Sequence, residues 1–176
     1  MKPKLRCKTS ELPRFAACYQ YPLQETNLLE LRETIKKRGF LTKDELRMLA
    51  RWKAPRSAGH IENNSEGYIK EITAFALSAE TERARIEVLT NLDGVQWPTA
   101  SVILHFYHKE RYPIMDYRAL WSVSMPQPVQ YYFDFWWCYV EFCRELSERT
   151  NLDMRTLDRA LWQYSKEKQD ENKGTS

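Results

Sequence analysis

A chain of 176 residues, 43% hydrophobic and 13% aromatic with only 5 glycines, has the apolar material for a folded core and too few glycines for a fold built on tight β-turns. No apolar run approaches the length of a membrane span, and the first residues lack the basic-then-apolar order of a secretory signal, so the expected compartment is cytoplasmic. The net charge of +3 is concentrated in Lys2, Lys4, Arg6 and Lys8 and leaves the rest of the chain slightly acidic, so a generally basic body is excluded as a reason to expect a nucleic-acid partner.

Residues 1–10 read as a basic N-terminal arm, either solvated or reaching for phosphates. From 11 to 165 the apolar spacing is helical. Leu28, Leu31 and Ile35 mark a helix that closes at Gly39 after the basic run Lys36-Lys37-Arg38. Thr42 and Glu45 have the spacing of a capping box for a helix with Leu46 and Leu49 inward, limited by Pro55. Residues 55–65 are polar and rich in turn formers, which predicts a loop joining two lobes.

Ile72, Phe75, Ala76 and Ala79 then share one helical face, a short helix is expected over 81–91, and Ala100, Ile103, Leu104 and Tyr107 repeat the spacing over 97–107. Met125-Pro126-Gln127-Pro128 breaks the chain before a long segment with two apolar stripes: Val129, Tyr132, Phe133, Trp136, Val140 and Cys143, and Phe135, Tyr139, Phe142 and Leu146. A helix apolar on two sides belongs in a core; the alternative is a protein-docking surface over 131–142. Met154, Leu157, Leu161 and Tyr164 define the last helix, and residues 166–176 read as a disordered tail. No stretch alternates long enough to require a sheet, so the fold class is all-α, a compact helical bundle.

Cys7, Cys18, Cys138 and Cys143 are scattered, and His105 and His108 lack a third ligand at a sensible spacing, so neither a disulfide framework nor a metal is expected. Chemistry concentrates instead in Leu92-Asp93-Gly94-Val95-Gln96-Trp97-Pro98-Thr99-Ala100, between two short helices. Gly94 can take φ > 0 and admit a phosphate close to the backbone, Leu92 and Val95 anchor the turn inward, and Pro98 suits a first helical turn. The N–H groups that open the second helix then form an anion site that needs no lysine and reads no base sequence.

At these positions the chain resembles the hairpin of the helix-hairpin-helix DNA glycosylase superfamily, whose usual form is Leu-Pro-Gly-Val-Gly-x-Lys-Thr-Ala. Leu92, Gly94, Val95, Thr99 and Ala100 match, while Asp93, Gln96 and Pro98 depart. Asp116 stands as far after Pro98 as the superfamily's catalytic aspartate stands after the lysine position, in a similar context, Tyr112-Pro113-Ile114-Met115-Asp116. The resemblance implies duplex DNA held by its phosphate backbone at Leu92, Gly94, Val95, Gln96, Trp97 and Thr99, with Asp116 catalytic at a cleft bordered by the hairpin. It implies a monofunctional enzyme, since Pro98 has no amine for a Schiff base, and no iron–sulfur cluster, since only Cys138 and Cys143 lie downstream.

Breaking an N-glycosidic bond builds positive charge on the deoxyribose, which a fixed carboxylate stabilises. Asp116 also precedes Tyr117-Arg118-Ala119-Leu120-Trp121, where an aspartate is an expected helix cap, and the two roles are compatible. Trp52, His60, Tyr68, Gln96 and Trp97 are candidates for a base pocket, with core packing the competing role for each aromatic. Three readings therefore stand: a monofunctional glycosylase that needs no cofactor, a non-catalytic DNA-binding module, and a helical protein that docks a partner through 131–142.

Overall fold

Thr42, Ser65, Thr81 and Asp116 each accept a hydrogen bond from a backbone N–H in the first turn of the helix that follows, and these caps punctuate the chain. The computed structural model describes residues 2–128 and 130–173, with 170–173 described by backbone alone. The fold is all-helical, with no strand among the described residues. None of these helices is long and apolar enough to cross a membrane. No disulfide joins the described cysteines.

The chain divides into two compact units. Tyr21–Arg111 forms one, the inserted unit; the chain on either side of it, up to Gln20 and from Tyr112, forms the other, the split unit. The expected boundary at 55–65 is therefore corrected: that segment lies wholly inside the inserted unit and contains a 3-10 helix, Ala58–Asn63.

In the split unit, α1 (Leu12–Cys18) carries Pro13 in its first turn, a short helix the apolar spacing did not announce. The inserted unit follows with α2 (Leu23–Glu30), α3 (Arg32–Arg38), α4 (Lys43–Lys53), α5 (Glu66–Ser78), α6 (Glu82–Glu87), a 3-10 turn Val88–Asn91, and α7 (Trp97–Tyr107). The split unit resumes with α8 (Tyr117–Ser122), α9 (Phe133–Thr150) and α10 (Met154–Lys173).

α7 is the hub of the inserted unit. Every residue from Thr99 to Tyr107 is buried, and α3, α4 and α6 pack on it. α4 starts from the capping box, with Thr42 N–H donating to Glu45 Oε2 at 2.7 Å, and buries Leu46, Leu49 and Ala50. The single helix expected through Leu28, Leu31 and Ile35 is interrupted at Leu31, but it does end at Gly39 with φ +81°. α5 departs further, because its buried face is Ile69, Thr73 and Ala76, while Phe75 is 51% exposed. The reason is polar: Thr73 Oγ1 donates to Ile69 O at 2.7 Å and accepts from the buried Leu41 N–H at 3.0 Å. Orphaning that N–H would cost about 1–3 kcal/mol, enough to hold Thr73 inward in place of a larger apolar neighbour.

α10 organises the split unit, with α1, α8 and α9 against it and Phe15 edge-on to Tyr164 at 5.1 Å. α9 buries Phe135, Trp136, Tyr139, Val140, Cys143 and Leu146, as a central helix should, but it starts at Phe133 and leaves Tyr132 56% exposed. Val129 of the expected stripe lies outside the described residues. Two terminal expectations are corrected. The basic arm is not loose: Lys4 N–H donates to Val123 O and Arg6 N–H to Ser122 O, both at 2.9 Å, and Pro3 is buried. The tail expected from Lys166 continues as helix to Lys173, and residues 174–176 lie outside the described residues.

His105 and His108, at the end of α7, are core residues, with His108 only 2% exposed. Arg85, also buried, closes the end of α5 by donating to Ala79 O through Nε and Nη2 at 3.1 and 2.6 Å. Burial, aided by the charge of Arg85, brings the His108 imidazole down from 6.5 to about 4. The unfolded chain takes up that proton first as pH falls, so the stability this group contributes is complete above pH 6.5 and is lost between 6.5 and 4. Denaturant titrations at the two ends of that window should show a loss on the order of 3 kcal/mol at most, and a smaller one in His108→Gln.

Candidate nucleic-acid interface

The helix α6 and its 3-10 extension end at Asn91, and α7 begins at Trp97, so the chain does turn over residues 92–96. Val95 N–H donates to Leu92 O at 3.0 Å, and Gly94 sits at the third position with φ +83°. That is the type II requirement which glycine meets without strain. Leu92 and Val95 are buried beneath the turn, as their spacing predicts.

The support beneath the turn was not foreseen. Asn64, itself buried, accepts from Asp93 N–H with its Oδ1 and donates Nδ2–H to Asp93 O, both at 3.0 Å, while also reaching Ile61 O at 3.1 Å. A Cβ on Gly94 would stand 2.9 Å from Ser57 O and 3.0 Å from the Ile61 side chain. The close approach that this glycine permits is thus made by the protein's own 55–65 segment. Only the carbonyl pairing of Asn64 and the crowding under Gly94 reveal it; no local sequence signal does.

What the turn offers to solvent is narrower than the sequence suggests. Thr99, Leu92 and Val95 are shut inside, so they anchor and present nothing to a ligand. Asp93 and Gln96 are exposed, and Gly94, Trp97 and Pro98 partly so. Unlike α4, α5, α6 and α8, α7 has no side-chain cap: Gln96 is its N-cap residue and does not bond to the first turn. Beside the turn, Arg56 and His60 are exposed on the buttressing segment. Glu62 on that segment is held down to about 2 by its hydrogen bonds to Arg47, so its charge is taken up within an ion pair that Lys43 joins.

Asp116 lies in the split unit. It is the N-cap of α8, its Oδ1 accepting from Ala119 N–H at 2.9 Å, and it is half-buried. The extended segment leading to it is fixed at Ile114, whose N–H donates to Asp158 Oδ1 at 3.0 Å and whose carbonyl accepts from Tyr139 OH at 3.2 Å. Asp158 is anchored in turn by Arg155 at 2.6 Å. Burial pushes Tyr131 and Tyr139 up, and the charge of Asp116 adds to both shifts, so the carboxylate lies within electrostatic reach of two tyrosines.

The proposed base-pocket residues Trp52, His60, Tyr68, Gln96 and Trp97 all belong to the inserted unit and Asp116 to the split one. Trp52 packs on Phe106 at 5.8 Å between ring centroids, whereas Tyr68 is 40% exposed. Among residues 131–142, Phe135, Trp136, Tyr139 and Val140 are buried, Tyr131, Phe133, Trp137 and Phe142 are partly so, and Tyr132 is exposed. Among the described residues no group of three or more His, Cys, Asp or Glu side chains is placed to hold a metal.

Comparison with protein-family models, with curated proteins and with solved structures finds no match in any of the three.

The crowding beneath Gly94 generates a stability expectation. Gly94→Ala combines a left-handed φ with a Cβ against backbone, so it should destabilise the chain by about 1–3 kcal/mol. Denaturant unfolding measures this. Loss of ligand binding in that variant would therefore report on the fold and not on a contact.

Proposed function

We propose that this chain is a nucleic-acid-binding protein of the helix-hairpin-helix glycosylase type, which grips duplex phosphate at the turn 92–96 and the start of α7. The observation that carries the reading is the uncapped N-terminus of α7, held behind a turn whose geometry is fixed by Gly94 and Asn64. Gln96 places no capping side chain on the first turn of α7, and a helix start left open by its N-cap residue favours an anion through its dipole. Arg56, exposed on the segment under the turn, supplies a cationic neighbour, and the exposed His60 beside it a ring N–H donor. Asp93 opposes the charge of Arg56, so binding is weak and strongly salt-dependent.

Within the same reading Asp116 is the group that stabilises positive charge on a deoxyribose as a base leaves. Its second support is the double anchoring of Ile114, which holds the approach to the cap rigidly. The non-catalytic binding module differs from this only in leaving Asp116 as a cap.

Gln96→Asp tests the turn. Aspartate is a better N-cap than glutamine, so the folded state should be as stable or slightly more so, while its charge occupies the phosphate position. Duplex affinity at low salt should fall about tenfold, equivalent to about 1.4 kcal/mol, with every sequence affected alike. Unchanged affinity in this variant overturns the assignment of the turn.

Asp116→Asn tests the enzyme. Asparagine preserves the cap and removes the charge. On a panel of damaged-base duplexes, with hot alkali revealing abasic sites, base release should drop on the order of 10²-fold while the melting temperature and duplex affinity hold. Full activity in the variant removes Asp116 from catalysis, and a panel that yields no abasic sites with the native chain favours the binding module.

A further inference from the structure

The basic arm and the exposed face of α8 come together around a groove that neither the turn nor Asp116 explains. It measures about 520 Å³ and is lined within the split unit by Arg6, Tyr117, Trp121, Met125, Gln127 and Gln169, with no acidic side chain among the described residues that line it. Tyr117 and Trp121 are one helical turn apart on α8 and so project to the same side. Tyr117 is 51% exposed, with the Arg118 guanidinium 5.3 Å from its ring centroid over one face, which leaves the other face for stacking. The Arg6 guanidinium lies 4.6 Å over the Trp121 ring and donates Nε–H to Trp121 O at 2.5 Å.

Three features define what such a groove can take. The first is a flat aromatic surface in water, which an extended apolar partner would use only if the surroundings were apolar as well. They are mixed: Met125 and Pro126 are apolar, while Gln127 and Gln169 bring amides, which pair with the donors and acceptors on the edge of a nucleobase. The second is the sign of the charge. The arm pairs its backbone with the end of α8 through Lys4 and Arg6, and both side chains are exposed; Arg6 lines the groove, and Lys4 stands two residues before it on the same arm. Arg6 has further N–H donors beyond the one given to Trp121 O.

The third is the backbone at Ser124, which lines the same groove with φ +57°, a left-handed conformation uncommon for a residue with a Cβ. Ser124 N–H donates to Trp121 O at 3.0 Å and Met125 N–H to Leu120 O at 2.9 Å, the paired bonds of a Schellman ending, where glycine is the usual choice. This ending turns Met125 back along α8 and makes the groove's far wall.

We propose that this groove binds an unpaired nucleotide of a nucleic-acid strand, with its base stacked on Tyr117 and its phosphates met by Lys4 and Arg6. Stacking on an exposed aromatic beside a basic edge is the general means of holding single strands without reading sequence. The proposal rests on the nucleic-acid reading for the class of its ligand but uses none of the residues of the turn.

The test compares a short poly-dT strand, the same length of abasic strand, and a blunt duplex by fluorescence anisotropy at low salt. The native chain should bind poly-dT more tightly than the abasic strand, since only the former can stack. Tyr117→Ala should weaken poly-dT binding about tenfold, the lower end of what one stacked base contributes, and abolish the preference over the abasic strand. Tyr117→Phe should restore both, and Lys4→Glu should weaken both strands alike. Equal binding of the two strands by the native chain, or unchanged poly-dT affinity in Tyr117→Ala, overturns the proposal. Its fate is separable from that of the turn. Loss of duplex binding in Gln96→Asp with no effect of Tyr117→Ala on poly-dT removes the groove and keeps the turn; the opposite pattern removes the turn and keeps the groove.

Discussion

The side-chain amide of Asn64 and the backbone of Asp93 exchange two hydrogen bonds of 3.0 Å, and the conformation of the turn depends on that exchange. Each bond is worth about 1 kcal/mol net, but losing the amide would strand buried polar groups at a larger cost. The exchange requires Asn64 to be placed, which in turn requires the 3-10 helix before it and the end of α4. Lys43 contributes by donating to Glu62 O at 2.9 Å and Asn64 O at 2.8 Å. Ser57 O then lies so close to Gly94 that no side chain fits there, and α7 starts from a turn with no freedom to shift.

The split unit solves the same problem at Ile114. A segment without helical hydrogen bonds of its own must find partners elsewhere, and Asp158 from α10 and Tyr139 from α9 provide them. In both units the direction of a non-helical stretch is set by a polar side chain far away in sequence. The apolar core supplies most of the stabilisation, and these few polar pairs decide where the chain turns.

That division explains what could be read from the sequence. Caps at Thr42 and Asp116, the Gly39 ending, the inward anchors Leu92 and Val95, the buried stripe of α7 and the Trp136, Tyr139, Val140 and Cys143 face of α9 are local patterns, and they are found where their spacing puts them. Asn64 and Asp158 look like ordinary polar residues until their partners are known. Thr73 was passed over in favour of Phe75 because apolarity alone ignores a hydroxyl that satisfies two backbone groups. Lysines at a terminus suggest a solvated or phosphate-seeking arm, and nothing local announces that its backbone pairs with α8 while its lysine side chains are exposed. As for the candidate site, the turn and the cap were legible, the burial of Thr99 was not, and the groove beside Tyr117 was invisible because Arg6 and Gln169 lie at opposite ends of the sequence.

The interruption of the split unit by Tyr21–Arg111 bears on the order in which the two units can be completed on the ribosome. The inserted unit is one continuous stretch, so all of its contacts exist in the chain once Arg111 has emerged. α1 has no such neighbour: Phe15 packs against Tyr164 of α10, which emerges only after the whole inserted unit. While the inserted unit is made, the apolar face of α1 therefore waits without its partner, and its burial is postponed until α10 is delivered. Closing so long a loop late adds little to the final free energy, because the entropic cost grows only logarithmically with length. It does lengthen the interval in which Leu12 and Phe15 are open to association with other chains.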